Sequence, residues 1–329
     1  TPFVFSKTLN AMPDTESEKF TSHNSFAEIA PLYDGFILDQ FGVMHNGASG
    51  LPGAPECVAQ LASSGKKLII LSNTSSSSVK TLDKLPRLGF DKANFSGAVT
   101  SGEEASRYIA ETYGPQGKKA LFITWGSGRS GNPLDFIDQC GGISITNSAD
   151  EADFVIAHGS DVIRGNNDDK NEAIEISLGG FAEKGDFSVL DPILKKCEEL
   201  RLPMVCANPD FIMVNPNGSE GHMPGKIGQH YESIGGKCTY FGKPHVPHFE
   251  ACLRELGLDK QRVAHVGDSL HHDIAGANAA GINSVFVAGG IHRKDLGSEL
   301  GDVPDESALQ KLFENEGQFP SHVVPMLKM

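Results

Sequence analysis

Four stretches of this 329-residue chain carry side chains able to do chemistry together. In the first, Gly35-Phe36-Ile37-Leu38 is an apolar run of strand length, Asp39 ends it, and Gly42 and Gly47 mark sharp turns. An aspartate at the C-terminal end of a buried strand stands where open α/β sheets place their chemistry, as a nucleophile, a metal ligand or a turn cap. In the second, Lys67 to Leu71 reads as another buried strand, with Ser72 and Asn73 offering a hydroxyl and an amide to an anion. The third, Phe241-Gly242-Lys243-Pro244, offers a cation. The fourth follows the strand Val263 to Val266 with Asp268, and places Asp273 at the start of an Ala/Gly-rich helix. A carboxylate nucleophile, a hydroxyl donor, a lysine and paired acids are the parts of a phosphoryl-transfer site.

That order of motifs, from Ile29 to about Gly290, resembles the haloacid dehalogenase (HAD) superfamily, in its C2-capped branch of NagD and 4-nitrophenylphosphatase type. The resemblance implies an α/β fold, a Rossmann-like parallel-sheet core with an inserted α/β C2-type cap. It implies 25–102 and 236–329 as the core and 103–235 as the cap, while the Thr/Ser/Glu-rich composition of residues 1–24 reads as an N-terminal arm or a strap over the core. It also implies Asp39, Ser72 and Lys243 as catalytic residues, and Gly42, Ser72, Asn73 and Lys243 as phosphate contacts. Asn208 and Asp210, in a turn that recurs in such caps, become substrate contacts. Mg²⁺ becomes the cofactor, held by Asp39, the main-chain carbonyl of Phe41, Asp268 and Asp273. A small phosphorylated metabolite is the implied substrate, and a homodimer through the cap is a further implication.

The chain departs from the family at one position. Asp39-Gln40-Phe41-Gly42 replaces the usual Asp-x-Asp-Gly, so the general acid/base is a phenylalanine. General acid–base assistance is worth ~10² to 10⁴ in rate, so a slow phosphatase is expected, or one that recruits an acid from the cap or flap. Two alternatives stay open: a phosphometabolite-binding protein with little turnover, and a dehalogenase-like hydrolase, whose halide leaving group needs no proton. His45, in the glycine-rich flap from Gly42 to Pro52, either touches substrate or is solvated.

These residues need a parallel sheet to carry them. Pro55 to Ser64 has helical spacing, and Leu82, Leu85 and Leu88 form an apolar stripe that Pro86 must kink or end. Phe95 to Thr100 reads as a strand and Ser101 as a helix start. The insertion alternates again, with strands at 120–124, 143–146, 154–157 and 204–207. The core resumes with Lys237 to Phe241, a helix from Pro247 to Leu256, the helix Asp273 to Ala280, and a strand from Asn283 to Val287. Gly126-Ser127-Gly128-Arg129-Ser130-Gly131 matches a dinucleotide-binding fingerprint, but Asn132-Pro133 does not suit its helix entry, and a polar cap turn is the competing reading. Asn166 to Lys170 reads as a loop or helix start.

Composition sets the remaining limits. A formal charge of −14 with no compensating basic stretch argues against a nucleic-acid partner. No apolar run has the length of a membrane span. Six cysteines without a C-x-x-C pair suit buried thiols in an intracellular, reducing compartment. The chain starts at Thr1 without a signal-like segment, as though a leader or tag had been removed.

Overall fold

The computed structural model describes residues 20–127, 132–167, 172–214 and 219–329. The described strands form two seven-stranded sheets and one small hairpin. The first sheet runs, edge to edge, β1 (Thr21–Ser22), β16 (His322–Val324), β15 (Asn283–Val287), β14 (Val263–Gly267), β2 (Gly35–Leu38), β3 (Lys67–Ser72) and β4 (Gly97–Thr100). Every neighbouring pair in it is parallel. Its central strands are continuously apolar because both faces are covered. Phe36, Leu38, Leu68 and Ile70 pack with Cys57, Val58 and Leu61 of α1 (Ala54–Ser63). On the other face Ile37, Ile69 and Leu71 meet Phe249, Cys252 and Leu256 of the helix Val246–Leu256. After β3 the chain enters α2 (Ser78–Lys84), whose Ser77 hydroxyl accepts from Lys80 N. A 3₁₀ turn, Leu85–Leu88, replaces the regular helix where Pro86 falls.

Helix α3 (Ser101–Thr112) carries the chain out of this sheet. Thr100, the last residue of β4, caps it by accepting from Glu103 N at 3.3 Å. Its Ala105 and Ile109 then pack with Ala120, Phe122, Phe154 and Ile156 of the second sheet. That sheet orders β13 (Lys237–Tyr240), β10 (Pro203–Cys206), β7 (Phe154–Ala157) and β5 (Lys119–Thr124) in parallel. The far side of β5 is shared by β6 (Ser144–Thr146), parallel, and β8 (Val162–Asn167), antiparallel, and β8 forms a hairpin with β9 (Glu172–Ser177). A second hairpin pairs β11 (Ile212–Val214) with β12 (Glu220–His222). No described strand between residues 103 and 235 joins the sheet that carries Asp39.

Three expectations need correction. The strand at Lys237 to Phe241 was assigned to the core, but β13 is the edge strand of the second sheet, paired with β10, so the return to the first sheet comes after Tyr240. Its alternate residues Cys238 and Tyr240 lean on the apolar centre of the second sheet, a preference that periodicity alone does not reveal. The expected arm at 1–24 is in its described part an element of the core, since Thr21 and Ser22 pair with His322 and Val323. Asn166 and Asn167 end a strand rather than start a helix or loop, and 168–170 lie outside the described residues. All six cysteines are free thiols. No described helix is long and apolar enough to cross a membrane.

Candidate active site

Strand order builds the site. Because β14, β2 and β3 are neighbours, their C-terminal ends present Asp268, Asp39 and Ser72 side by side. The Asp39 N–H donates to the Val266 carbonyl at 2.9 Å, locking the nucleophile candidate onto the next strand. Ligand-type oxygens of Asp39, Asp268 and Asp273 lie within 4.8 Å of one another, and all three residues are buried. Lys243 is only 3% exposed and donates to Asp39 Oδ1 at 2.5 Å and to Asp273 Oδ1 at 2.7 Å.

Asp273 is held from all sides. His265 Nε2 lies 2.8 Å from its Oδ1, and the Ser269 N–H donates to its Oδ2 at 3.0 Å. The helix expected from 273 instead begins with a wide turn, Leu270–Ile274, in which Ile274 N–H reaches back to the Ser269 carbonyl at 3.1 Å. Ser269 caps this turn by accepting from His272 N–H at 3.2 Å. His265 was missed at the sequence level; a histidine inside a buried apolar strand, where it must find a polar partner, was the available signal.

Three carboxylates share one ammonium here. Burial drives Asp39 up to about 7, with Asp273 adding to the rise and Lys243 opposing it. Asp268 is raised well above the usual carboxylate range, by burial first and then by Asp39 and Asp273. For Asp273 the burial penalty is outweighed by Lys243 and His265, which hold it below that range. Lys243 is raised because Asp273 and Asp39 outweigh its own burial. The pocket is therefore short of positive charge and rich in hard oxygen donors, which fits a divalent metal. Asp39 and Asp268 carry that charge deficit, whereas both Asp273 oxygens already accept hydrogen bonds.

Glycines give the acids room. A Cβ on Gly42 would lie 2.0 Å from Asp268 Oδ2, and one on Gly290 would lie 2.1 Å from the same atom. Gly42 has φ +83° and its N–H donates to the His45 carbonyl at 3.0 Å. Gly42, expected as a phosphate contact, has its N–H engaged within the flap and leaves space beside Asp268. Asp268 Oδ2 accepts from Ile291 N–H at 2.8 Å.

Asn73 joins two neighbouring loops. Its side-chain oxygen accepts from Lys243 N–H at 2.7 Å, and its amide nitrogen donates to Asp210 Oδ1 at 2.7 Å. These two bonds clasp the Lys243 loop. Ser72 is buried, and its hydroxyl accepts from Thr74 N–H at 3.3 Å. Asn208 accepts from Asp210 N–H at 3.0 Å, shaping the turn that brings Asp210 to Asn73 and to within 3.6 Å of His272 Nε2. Ser101, missed at the sequence level, donates to the carbonyls of Thr74 at 3.0 Å and Ala207 at 2.8 Å, joining the two sheets' loops.

Phe41 stands in the flap, its ring edge-to-face with His45 at a 6.1 Å centroid distance. The Gly47 N–H donates to His45 Nδ1 at 3.1 Å. Burial, helped by Arg87 and Lys84, pulls His45 down to about 4, so the imidazole is neutral near pH 7 with its proton on Nε2. In the fingerprint segment, the Gly126 N–H donates to Asp161 Oδ2 at 3.1 Å, and Gly128 to Gly131 lie outside the described residues.

Two family profiles match the chain: a haloacid dehalogenase-like hydrolase profile over residues 36–130 and a HAD-hydrolase-like profile over 240–312. Together they include β3, β4, β14 and β15 of the first sheet and carry Asp39, Ser72, Lys243, Asp268 and Asp273. Human chronophin is 25% identical over 79% of this chain and 82% of its own. Chicken glycerol-3-phosphate phosphatase is 26% identical over 84% and 86%, and the 4-nitrophenylphosphatase of Schizosaccharomyces pombe 24% over 91% and 99%. Among solved structures, a possible sugar phosphatase from Cytophaga hutchinsonii superposes with a TM-score of 0.70, covering 94% of this chain and 99% of that one at 19% identity. NagD of Escherichia coli gives 0.56, with 90% and 97% covered at 20% identity. With a Rossmann-like core, an inserted α/β cap and these matches, the chain belongs to the C2-capped hydrolases of the haloacid dehalogenase superfamily.

Proposed function

We propose that this hydrolase is a Mg²⁺-dependent phosphatase that removes the phosphoryl group of a small phosphorylated metabolite through an aspartyl-phosphate on Asp39. The observation that carries the reading is the buried group in which Asp39 and Asp268, at the ends of adjacent strands, meet Asp273 and Lys243. Mg²⁺ would be held by Asp39 and Asp268 with the Phe41 carbonyl as main-chain ligand and Asp273 orienting from behind, and would neutralise phosphate oxygens there.

The chain's own residues supply the rest. Lys243 adds positive charge beside the attacking Asp39 oxygen, and Ser72 offers a hydroxyl to a non-bridging phosphate oxygen. An Asp39 oxygen forms a bond to phosphorus as the bond to the leaving oxygen breaks in line. The leaving oxygen then needs a proton, and later the intermediate needs an activated water. Phe41 can provide neither, which supports a second reading, a phosphometabolite-binding protein with little turnover. The dehalogenase alternative is weaker, because the insertion follows β4 rather than separating Asp39 from Ser72, and the named relatives are phosphatases.

Phosphate release from 4-nitrophenyl phosphate and a panel of phosphorylated metabolites tests the reading. Release should require Mg²⁺ and vanish in Asp39→Asn. Esters that bind without being hydrolysed would favour the second reading; neither binding nor release would overturn both.

A further inference from the structure

On a chain of net charge −14, one cationic cluster lies beside this site. Lys80 and Lys84 are one turn apart on α2, and Arg87 follows in the 3₁₀ turn. Lys80 is paired with Asp135 across the two sheets' elements. Lys84 instead donates to the Ser76 hydroxyl at 3.2 Å. Among the described residues no carboxylate pairs with Lys84 or Arg87. Lys84 is half-buried, and burial, then Arg87 and Lys80, lower its affinity for a proton, as in a cation group awaiting a counter-charge.

Two observations tie the cluster to the reaction centre. Ser76 follows Ser72 by four residues, a span of at most about 14 Å even for extended backbone. The turn that carries Arg87 also packs on the flap: Leu85 and Leu88 share one apolar cluster with Val43 and Met44, and a Cβ on Gly50 would lie 2.8 Å from the Leu88 carbonyl oxygen. The elements that carry the cations therefore pack on the flap side of the site. The Trp125 indole N–H donates to the Ser75 hydroxyl at 3.3 Å, so a residue from the second sheet's side helps hold this loop.

We propose that Lys84 and Arg87, with the Ser76 hydroxyl, form a second anion subsite, and that the substrate carries a second anionic group, carboxylate or phosphate, on its leaving portion. The proposal rests on the phosphatase reading, but it is tested by binding, so the two fail separately. Unpaired cations near a bound anion make charge-assisted hydrogen bonds worth roughly 10-fold or more in affinity.

The test measures, with Mg²⁺ and the full chain, the affinities of phenylphosphonate, of 3- and 4-carboxyphenylphosphonate, and of benzene-1,4-bisphosphonate. At least one doubly anionic compound should bind about 10-fold tighter than phenylphosphonate. In the Lys84→Gln/Arg87→Gln protein that ratio should fall towards one, and Lys84→Arg should retain it. A stronger carboxyl than bisphosphonate preference would identify the second group as a carboxylate, and the reverse as a phosphate. A ratio near one in the wild-type protein, or an equal ratio in wild type and double variant, would overturn the subsite. Hydrolysis of the matching phosphate esters reads the phosphatase activity independently.

Discussion

Phe41 is where a single residue decides most. If no other group supplies the proton, aryl phosphates should react far faster than alkyl phosphates, because their leaving groups need little protonation. Hydrolysis of the aspartyl-phosphate should then be slow, since it needs an activated water whatever has left. Rapid mixing of a reactive aryl phosphate with stoichiometric enzyme and Mg²⁺ should give a burst of the phenol followed by slow turnover. Phe41→Asp should lose the burst and gain steady-state rate, by ~10² at the lower end of general acid–base effects. Absence of a burst, with equal rates on aryl and alkyl esters, would assign the proton to another group. The flap residue in ring contact with Phe41, His45, is pulled down to about 4 by burial and so brings no imidazolium to that position near pH 7.

Among the elements, the strand-end loops are packed so tightly that small residues act as functional parts. Gly290 is an example: a Cβ there would meet Asp268 Oδ2 at 2.1 Å and its Cγ at 2.5 Å. Gly290→Ala should displace the Asp268 carboxylate, weaken Mg²⁺ binding at least 10-fold, and cost ~1 to 3 kcal/mol of stability as an overpacked site. Calorimetric titration of Mg²⁺ and denaturant unfolding would check both. These loops also show what could be read in advance. The acids, the lysine and their strand-end positions were legible, because an apolar run ending in Asp or Ser and followed by glycine has few other uses. The hydrogen bonds that Asn73 makes to Lys243 and Asp210 were not, because a strand-end amide reads the same in sequence whichever neighbouring loop it meets.

For the molecule as a whole, the uncompensated acids couple stability to pH and metal. Asp39 and Asp268 have folded-state affinities for protons above their unfolded ones, so the metal-free fold gains from their protonation. That contribution is full below pH ~4, the unfolded carboxylate value, and for Asp39 is lost as pH rises through about 7. Asp273 has the opposite sign, and its contribution is lost only as pH falls below the ordinary carboxylate range. Mg²⁺ should accordingly raise the thermal midpoint more at pH 8 than at pH 5, and Asp268→Asn should shrink the difference. An equal shift at both pH values would mean that the cluster does not hold the ion.

By itself the sequence determined the local pieces: buried parallel strands from unbroken apolar runs, helix ends from Pro86 and Ser101, and chemistry at strand ends from Asp39, Ser72 and Asp268. It also determined the family, through the order in which those pieces occur. Tertiary structure alone decided which sheet owns Lys237–Tyr240, since a half-apolar edge strand pairs equally well with any open partner until packing selects one. It alone decided that Lys243 is shared by Asp39 and Asp273 and fixed by Asn73, because these contacts join residues far apart in the chain. Hydrophobic pattern is a local property with a fixed period, whereas charge pairing in a buried site depends on which strand ends the fold sets side by side.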